Sequence, residues 1–216
     1  MLEATLFVIL TTSFIVGLSG ALMPGPLLAL TIGGAARRGF WAGPLIVLGH
    51  GILELTLVVG LISGLSQFLK NELVFSIIGI AGGIVLLVMG LSTIRRGWQK
   101  ATVPLAETVN VRQDRALVIS GIVVSVSNPY WIIWWATIGM VYLSWSLKLG
   151  MGGIVSFFTG HISADLAWYA LVAFIIATGR KALKDSVYRW LLIICGLALV
   201  MLGGYFLTSG IRFLVS

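Results

Sequence analysis

Charged residues are scarce in this sequence. Lys, Arg, Asp and Glu make up 10% of the 216 residues, whereas hydrophobic residues make up 59%. A typical soluble domain is about 25% charged and about 45–50% apolar. The mean hydropathy of +1.08 points the same way. This composition excludes an ordinary soluble domain and predicts an integral membrane protein that lies in the lipid bilayer.

Cysteine is nearly absent as well. Cys195 is the single cysteine, so an intrachain disulfide and a redox role based on paired cysteines are excluded. The sequence shows no Cys/His metal spacing and no nucleophile–base pair suited to hydrolysis. We therefore expect a protein that is not an enzyme and that needs no cofactor. The net charge is +7, and the basic residues that produce it are scattered over short loops, which argues against a nucleic-acid partner.

Long apolar runs dominate the rest of the chain. A helix needs roughly 20 apolar residues to cross a bilayer. Six runs qualify: 4–36, 41–69, 73–94, 116–146, 150–179 and 187–211. The first and fourth runs are too long for straight spans and contain prolines, which favours broken or strongly tilted helices. We predict an all-α integral membrane fold with six transmembrane helices, the first and fourth broken at prolines.

The two halves of the chain resemble each other. Residues 1–96 and 116–216 each contain three predicted spans, joined by a polar linker over 97–115. The third spans share a glycine spacing of eight, Gly82 and Gly90 against Gly196 and Gly204. An odd number of spans forces the second half to enter the membrane from the opposite side. The expected architecture is therefore two inverted three-helix repeats, as in many transporters.

Basic residues are unevenly divided between the two sides of the predicted bundle. Arg37, Arg38, Arg95, Arg96, Lys100, Arg112, Arg115, Arg180, Lys181, Lys184 and Arg189 follow spans one, three and five, against Lys70, Lys148 and Arg212 on the other side. Loops rich in Lys and Arg stay in the cytoplasm. We therefore expect both termini to lie outside the cytoplasm.

Acidic residues inside the apolar runs are the most informative polar positions. Glu54 and Asp165 lie deep within spans, and both histidines of the chain, His50 and His161, stand four residues before them. Residues four apart share one face of a helix. A charged side chain at the bilayer centre costs about 2.5–3.5 kcal/mol even on mild scales, and such residues usually serve function. At about 1.5 Å per residue, all four lie roughly 18–26 Å from the flanking charges, near the membrane midplane.

Proline breaks precede both His–acid pairs at a similar depth. They are Pro24-Gly25-Pro26 in the first half and Asn128-Pro129 in the second. Proline suits the first position of a helix, so Pro26 and Pro129 can each open a half-helix, with Asn128 or Ser127 as the cap of the second. The free amides of a helix start favour an anion such as a carboxylate.

Together, breaks and acids predict a site for a small zwitterion. The half-helix ends would receive a carboxylate, while Glu54 and Asp165 would receive an ammonium group or carry protons. Trp131, Trp134 and Trp135 follow the second break. The ring face of Trp131 is a candidate contact for the cation. The alternative is that these aromatic residues face lipid or the membrane interface. The oligomeric state stays open, with a homodimer as one alternative.

Several of these motifs resemble the lysine-exporter and threonine/homoserine-exporter (LysE/RhtB) family. The first half shows Pro24-Gly25-Pro26 followed by Gly39, Gly43, Gly49 and Glu54, and the second shows Asn128-Pro129 followed by aromatics. The six-span length fits too, so the resemblance covers nearly the whole chain. It implies a secondary exporter of amino acids or related metabolites in a prokaryotic inner membrane, with proton antiport as the coupling.

A second function stays open on the same residues. Two imidazoles and two carboxylates that meet at one point form a transition-metal site. The wider superfamily that this fold resembles includes manganese, nickel and cadmium transporters. The alternative is therefore a divalent metal cation exporter that uses the His50/Glu54 and His161/Asp165 pairs.

Overall fold

The structure is a computed structural model that describes residues 2–23, 25–65, 72–99, 111–179 and 184–215. The described residues form α-helices and two π-helical turns, and none of them forms a β-strand. The helices are α1 Leu2–Ala21, α2 Pro26–Arg38, α3 Ala42–Gly60, α4 Glu72–Trp98, α5 Val111–Val126, α6 Pro129–Trp134, α7 Met140–Leu147, α8 Gly150–Gly179 and α9 Asp185–Val215. The π-helical turns are Leu61–Leu65 after α3 and Trp135–Gly139 between α6 and α7.

Four helical segments of the described chain can cross a membrane by length and composition. They are Ala42–Gly64, Gly79–Trp98, Gly150–Gly179 and Asp185–Arg212. Two further pairs of helices pass the same test together but are bent, α1 with α2 by 82° and α5 with the segment after it by 64°. The number of spans is therefore four, or six if each bent pair is one span. The prediction of an all-helical, multi-pass membrane protein is confirmed.

Both bends coincide with the two runs that are too long for straight spans. After α1 ends at Ala21, α2 begins at Pro26, and Gly25 caps it without a side chain. The second bend separates α5 from α6, which begins at Pro129. The backbone N–H of Tyr130 donates to the Asn128 side chain at 3.1 Å, so Asn128, rather than Ser127, is the cap.

Close helix packing depends on glycine. Helices α4 and α9 run antiparallel and pack along most of their length. A Cβ on Gly90 would lie 2.8 Å from the carbonyl oxygen of Gly196, so only glycine allows this approach. The two other glycines of the repeated spacing are not in such a contact: Gly82 faces the Pro129 ring, and Gly204 has no described neighbour within 4 Å.

The remaining large contacts join α1 to α8 and α3 to α5. The first helix of each predicted half thus packs on the second helix of the other half. Arg38 at the end of α2 forms an ion pair with Asp114 near the start of α5. Of the predicted linker, 100–110 lies outside the described residues, and 111–115 belongs to α5.

Candidate functional site

The two His–acid pairs occupy equivalent positions on α3 and α8, at the two helix crossings. Gly49 precedes His50, and Gly160 precedes His161. A Cβ on Gly49 would clash with the Val118 carbonyl of α5, and one on Gly160 with the Leu10 carbonyl of α1. These glycines let a neighbouring backbone pass directly beside each histidine. As a result, all four polar side chains are buried.

The four side chains meet in space. Glu54 Oε1 lies 3.1 Å from His50 Nε2 and 3.1 Å from His161 Nε2. Asp165 Oδ2 lies 3.8 Å from His50 Nε2 and 3.7 Å from His161 Nε2. Each histidine therefore faces both carboxylates, one on its own helix and one on the opposite half. We refer to His50, Glu54, His161 and Asp165 as the His–acid cluster.

Glu54 Oε1 is the centre of this cluster. Besides the two imidazoles, it accepts hydrogen bonds from Trp131 Nε1 at 3.0 Å and from Trp135 Nε1 at 2.9 Å. By contrast, Glu54 Oε2 and Asp165 Oδ2 are buried and have no hydrogen-bond partner among the described residues. Buried polar atoms normally have partners, so these two oxygens are the open acceptors of the cluster.

The two histidines have different surroundings on their far sides. His50 Nδ1 lies 2.7 Å from Ser125 Oγ, and the Ser125 hydroxyl donates its proton to the Gly121 carbonyl at 2.7 Å. His161 Nδ1 is buried without a hydrogen-bond partner in the described part of the chain. A Cβ on Gly17 would lie 2.9 Å from that nitrogen. The two carboxylates thus occupy matching positions on α3 and α8, whereas the groups beside the two histidines differ.

Aromatic rings enclose the cluster. Trp134 stacks on His161 with ring centroids 4.6 Å apart, and Trp135 meets the same imidazole edge-on at 5.4 Å. Trp131 meets His50 edge-on at 6.4 Å. The four side chains that these rings contact or adjoin are buried, and burial strengthens electrostatic interactions within the cluster.

A small cavity of about 50 Å³ adjoins the cluster. Its lining residues come from both halves: Gly20, Met23, Gly25, Leu27, His50, Glu54, Ser125, Asn128, Tyr130, Trp131, Trp134, His161, Asp165, Tyr169 and Leu202. A Cβ on Gly25 would lie 3.9 Å from Asn128 Nδ2. The two chain breaks therefore lie side by side at the cavity that the cluster lines.

Most of the predicted site residues lie around this cavity. It is lined by Gly25, Asn128 and Trp131 together with the His–acid cluster. Pro26 and Pro129 are buried at the first positions of α2 and α6 and do not line it, while Pro24 lies outside the described residues. Their roles in binding or coupling stay predictions.

Sequence reasoning missed several neighbours of the cluster. Tyr169 stands four residues after Asp165, so helical spacing could have found it. Ser125 and Gly17 carry no such signal, because they reach the histidines from helices of the opposite half.

The cluster also has the donors of a metal site. Ligand atoms of His50, Glu54 and Asp165 lie within 4.8 Å of one another. Imidazole nitrogens and carboxylate oxygens suit several divalent transition metals. The residues present therefore fit a divalent cation as cargo.

Apolar helices around a buried, charged centre define a multi-pass membrane protein with a polar site in its interior. The chain belongs to the LysE type translocator family, whose family model matches residues 18–210. It is also similar to the "Putative amino acid efflux protein YcgF" of Bacillus subtilis (strain 168), with 27% identity over 205 residues, or 92% of this chain and 94% of that protein. No solved structure matches the chain. Family membership indicates a transporter rather than an enzyme.

Proposed function

We propose that this protein is a secondary active exporter of amino acids or related small metabolites. The observation that carries the proposal is the convergence of both His–acid pairs and both helix breaks on one buried cavity. The family and the name of the B. subtilis relative support export of small molecules. Lipid surrounds the bundle, and the proposed location is a prokaryotic inner membrane.

The proposed substrate is a zwitterion. Its carboxylate would lie at the starts of α2 and α6, where backbone amides and helix dipoles favour an anion. Its ammonium group would lie against Asp165 Oδ2 and Glu54 Oε2, which are buried carboxylate oxygens without a hydrogen-bond partner in the described chain. Trp131 lines the same cavity and offers a ring face to the cation.

We further propose that the site lies at the membrane midplane between two inverted repeats, residues 1–96 and 116–216. In each repeat, a helix broken at proline is followed by the helix that bears a His–acid pair. The crossings of α1 with α8 and of α3 with α5 support this arrangement. Alternating access would then consist of rocking one repeat against the other around a fixed site.

Proton antiport is the proposed coupling. Each histidine lies within 4 Å of both carboxylates, so a proton can pass within the cluster without large movements. An incoming ammonium group would compete with that proton for the carboxylates. Substrate and proton would thus occupy the cluster in turn, as antiport requires.

The cavity of about 50 Å³ has room for a few waters, since each needs about 10–15 Å³ of the space that a water's centre can occupy. Its lining comes from both halves, so rocking of the repeats would change its size and its access.

The test is stabilisation of the purified protein by candidate substrates. Amino acids, polyamines and divalent metals would be tested on the wild type and on Glu54→Gln/Asp165→Asn. A ligand at 100 times its Kd adds about 2.7 kcal/mol to the free energy of unfolding. We expect an amino acid to raise the unfolding temperature of the wild type and to leave the double variant unchanged.

A matched control is Glu3→Gln/Asp185→Asn, which makes the same change in net charge away from the cluster. This variant should keep the stabilisation by the amino acid. Stabilisation that survives in Glu54→Gln/Asp165→Asn would contradict the proposed site.

Divalent metal export is the second candidate, favoured by the close donor atoms of His50, Glu54 and Asp165. Calorimetric titration with Mn²⁺, Ni²⁺ or Cd²⁺ would then give stoichiometric binding that His50→Ala abolishes. Binding of none of these metals would exclude it, since a metal cargo must occupy its own ligands.

A further inference from the structure

A second cavity lies between α2, α4 and α9 and has a volume of about 260 Å³. Pro26 lines it, whereas the neighbouring residues Gly25 and Leu27 line the small cavity at the His–acid cluster. The first turn of α2 thus separates the two spaces. The larger cavity approaches the size of small-ligand sites, which begin at about 300 Å³.

One face of α2 forms a wall of this cavity. Its lining residues are Pro26, Ala29, Leu30, Gly33 and Arg37, which recur at the spacing of a single helical face. They extend over twelve residues, or about 16 Å along the helix. The cavity therefore leads from the chain break beside the cluster to the positively charged end of α2.

Two arginines lie at the far end of the cavity. Arg37 and Arg96 both line it, on α2 and α4. Within the described segments neither forms an ion pair with a carboxylate, whereas Arg38 pairs with Asp114. Tyr188 of α9 also lines the cavity. This end of the cavity is a concave, positive surface with no bound counter-charge from the described chain.

Hydroxyl groups lie beside the arginines on α4. Ser92 and Thr93 both line the cavity, and their hydroxyls donate to the Met89 carbonyl at 2.8 and 2.7 Å. Each hydroxyl oxygen still has lone pairs that can accept a hydrogen bond. Guanidinium groups that bind a carboxylate, together with oxygens that accept from an ammonium group, match the two ends of an amino acid.

We propose that this cavity is the cytoplasmic vestibule of the transporter, where Arg37 and Arg96 capture the substrate carboxylate before it passes Pro26 to the His–acid cluster. The inference rests on the proposed export function and adds a second binding site to it. A phosphate of an anionic lipid headgroup has the same oxyanion chemistry, so the experiment must separate the two sources.

The experiment reports the charge of the cavity without depending on transport. Gly33→Cys, in a Cys195→Ala background, places a thiol on the cavity wall, because a Cβ at Gly33 has no described atom within 4 Å. The protein in phosphatidylcholine nanodiscs would react with an anionic and a cationic methanethiosulfonate reagent of similar size. A cleft lined by one sign of charge raises the local concentration of the opposite ion by about tenfold or more.

We expect the anionic reagent to react about tenfold faster than the cationic one at low salt, and the preference to fall as salt rises. Arg37→Gln/Arg96→Gln should bring the ratio of the two rates close to one. The matched control Arg95→Gln/Arg115→Gln makes the same charge change at residues that do not line the cavity, and it should keep the preference. A ratio of the two rates that Arg37→Gln/Arg96→Gln leaves unchanged would overturn the proposal.

Protection experiments identify the anion. Amino acids should slow labelling of Gly33→Cys when Arg37 and Arg96 are present, whereas phosphatidylglycerol in the nanodisc should not. Protection by phosphatidylglycerol alone would overturn the vestibule in favour of a lipid headgroup site. The absence of protection by any amino acid would overturn it as well.

The labelling experiment and the test of the export function can fail independently of each other. The rate ratio should persist in Glu54→Gln/Asp165→Asn, because it depends on the arginines alone. Labelled Gly33→Cys should lose transport, whereas labelled Gly179→Cys, whose Cβ also has no described neighbour within 4 Å, should retain it. Transport that continues after complete labelling at position 33 would contradict a path through this cavity.

Discussion

At the scale of single residues, Glu54 and Asp165 are not equivalent despite their matching positions. Glu54 Oε1 has four nitrogen atoms within 3.1 Å, whereas the nearest imidazole nitrogen to Asp165 Oδ2 is 3.7 Å away. A carboxylate that is already surrounded by donors is held in place, and one that lacks them is available to a ligand. We infer that Glu54 organises the cluster and that Asp165 exchanges its partner during transport.

Ser125→Ala tests whether the hydroxyl holds His50 in place. Removal of the hydroxyl leaves the buried Nδ1 without its partner 2.7 Å away, which should lower the free energy of unfolding by about 1–3 kcal/mol. Ser146→Ala is the control, because Ser146 is equally buried and its hydroxyl donates to the Tyr142 carbonyl away from the cluster. Denaturation in detergent measures both losses, and equal losses would mean that Ser125 acts only as a helix residue.

At the scale of helices, glycine decides which crossings can form. Gly49 and Gly160 admit the backbones of α5 and α1 beside the two histidines. These contacts bring the two pairs close enough to share carboxylates. The position of the cluster is therefore set by backbone contact between the two halves.

Gly49→Ala and Gly160→Ala should each destabilise the protein, because the added methyl group meets a backbone carbonyl that cannot rotate away. Overpacking of this kind costs about 1–3 kcal/mol or more. Gly204→Ala is the control, since its Cβ would have no described neighbour within 4 Å. Unfolding temperatures should fall for the first two variants and stay level or rise for the third. An unchanged Gly160→Ala variant would show that α1 and α8 are not so closely packed.

At the scale of the whole molecule, the positive charges define an orientation. Arg37 and Arg96, which line the larger cavity, lie on the side where the positive-inside rule places the cytoplasm. An exporter collects its substrate on that side. In the proposed orientation, a substrate would pass from this cavity along the chain break to the His–acid cluster.

Reporter fusions test this orientation. Alkaline phosphatase, which is active only outside the cytoplasm, should be active when fused after Ser216 and inactive when inserted between residues 100 and 110. Green fluorescent protein should give the opposite pattern at the same two positions. Fluorescence of the C-terminal fusion would show that the orientation is the opposite one. The cavity lined by Arg37 and Arg96 would then open to the outer face.

The sequence by itself determined the class of the protein and the four residues of the His–acid cluster. Hydropathy alone requires membrane helices, because the backbone must satisfy its own hydrogen bonds in lipid. Glu54 and Asp165 can be identified from the sequence as well, because an isolated charge in lipid is costly and such residues usually serve function. Asn128-Pro129 was readable as a helix start, because proline and its capping residue act locally.

Tertiary structure alone decided which of these groups touch. The sequence could not show that Glu54 Oε1 also meets His161, Trp131 and Trp135, because those contacts join residues 77 to 107 positions apart. It could not show that the Ser125 hydroxyl lies beside His50 Nδ1. Nor could it show that Gly17 lies at the same place beside His161, whose Nδ1 has no hydrogen-bond partner among the described residues. Nor did it reveal that Arg37 and Arg96 line one cavity. Local rules fix which helices form, whereas contacts between helices depend on how whole surfaces pack.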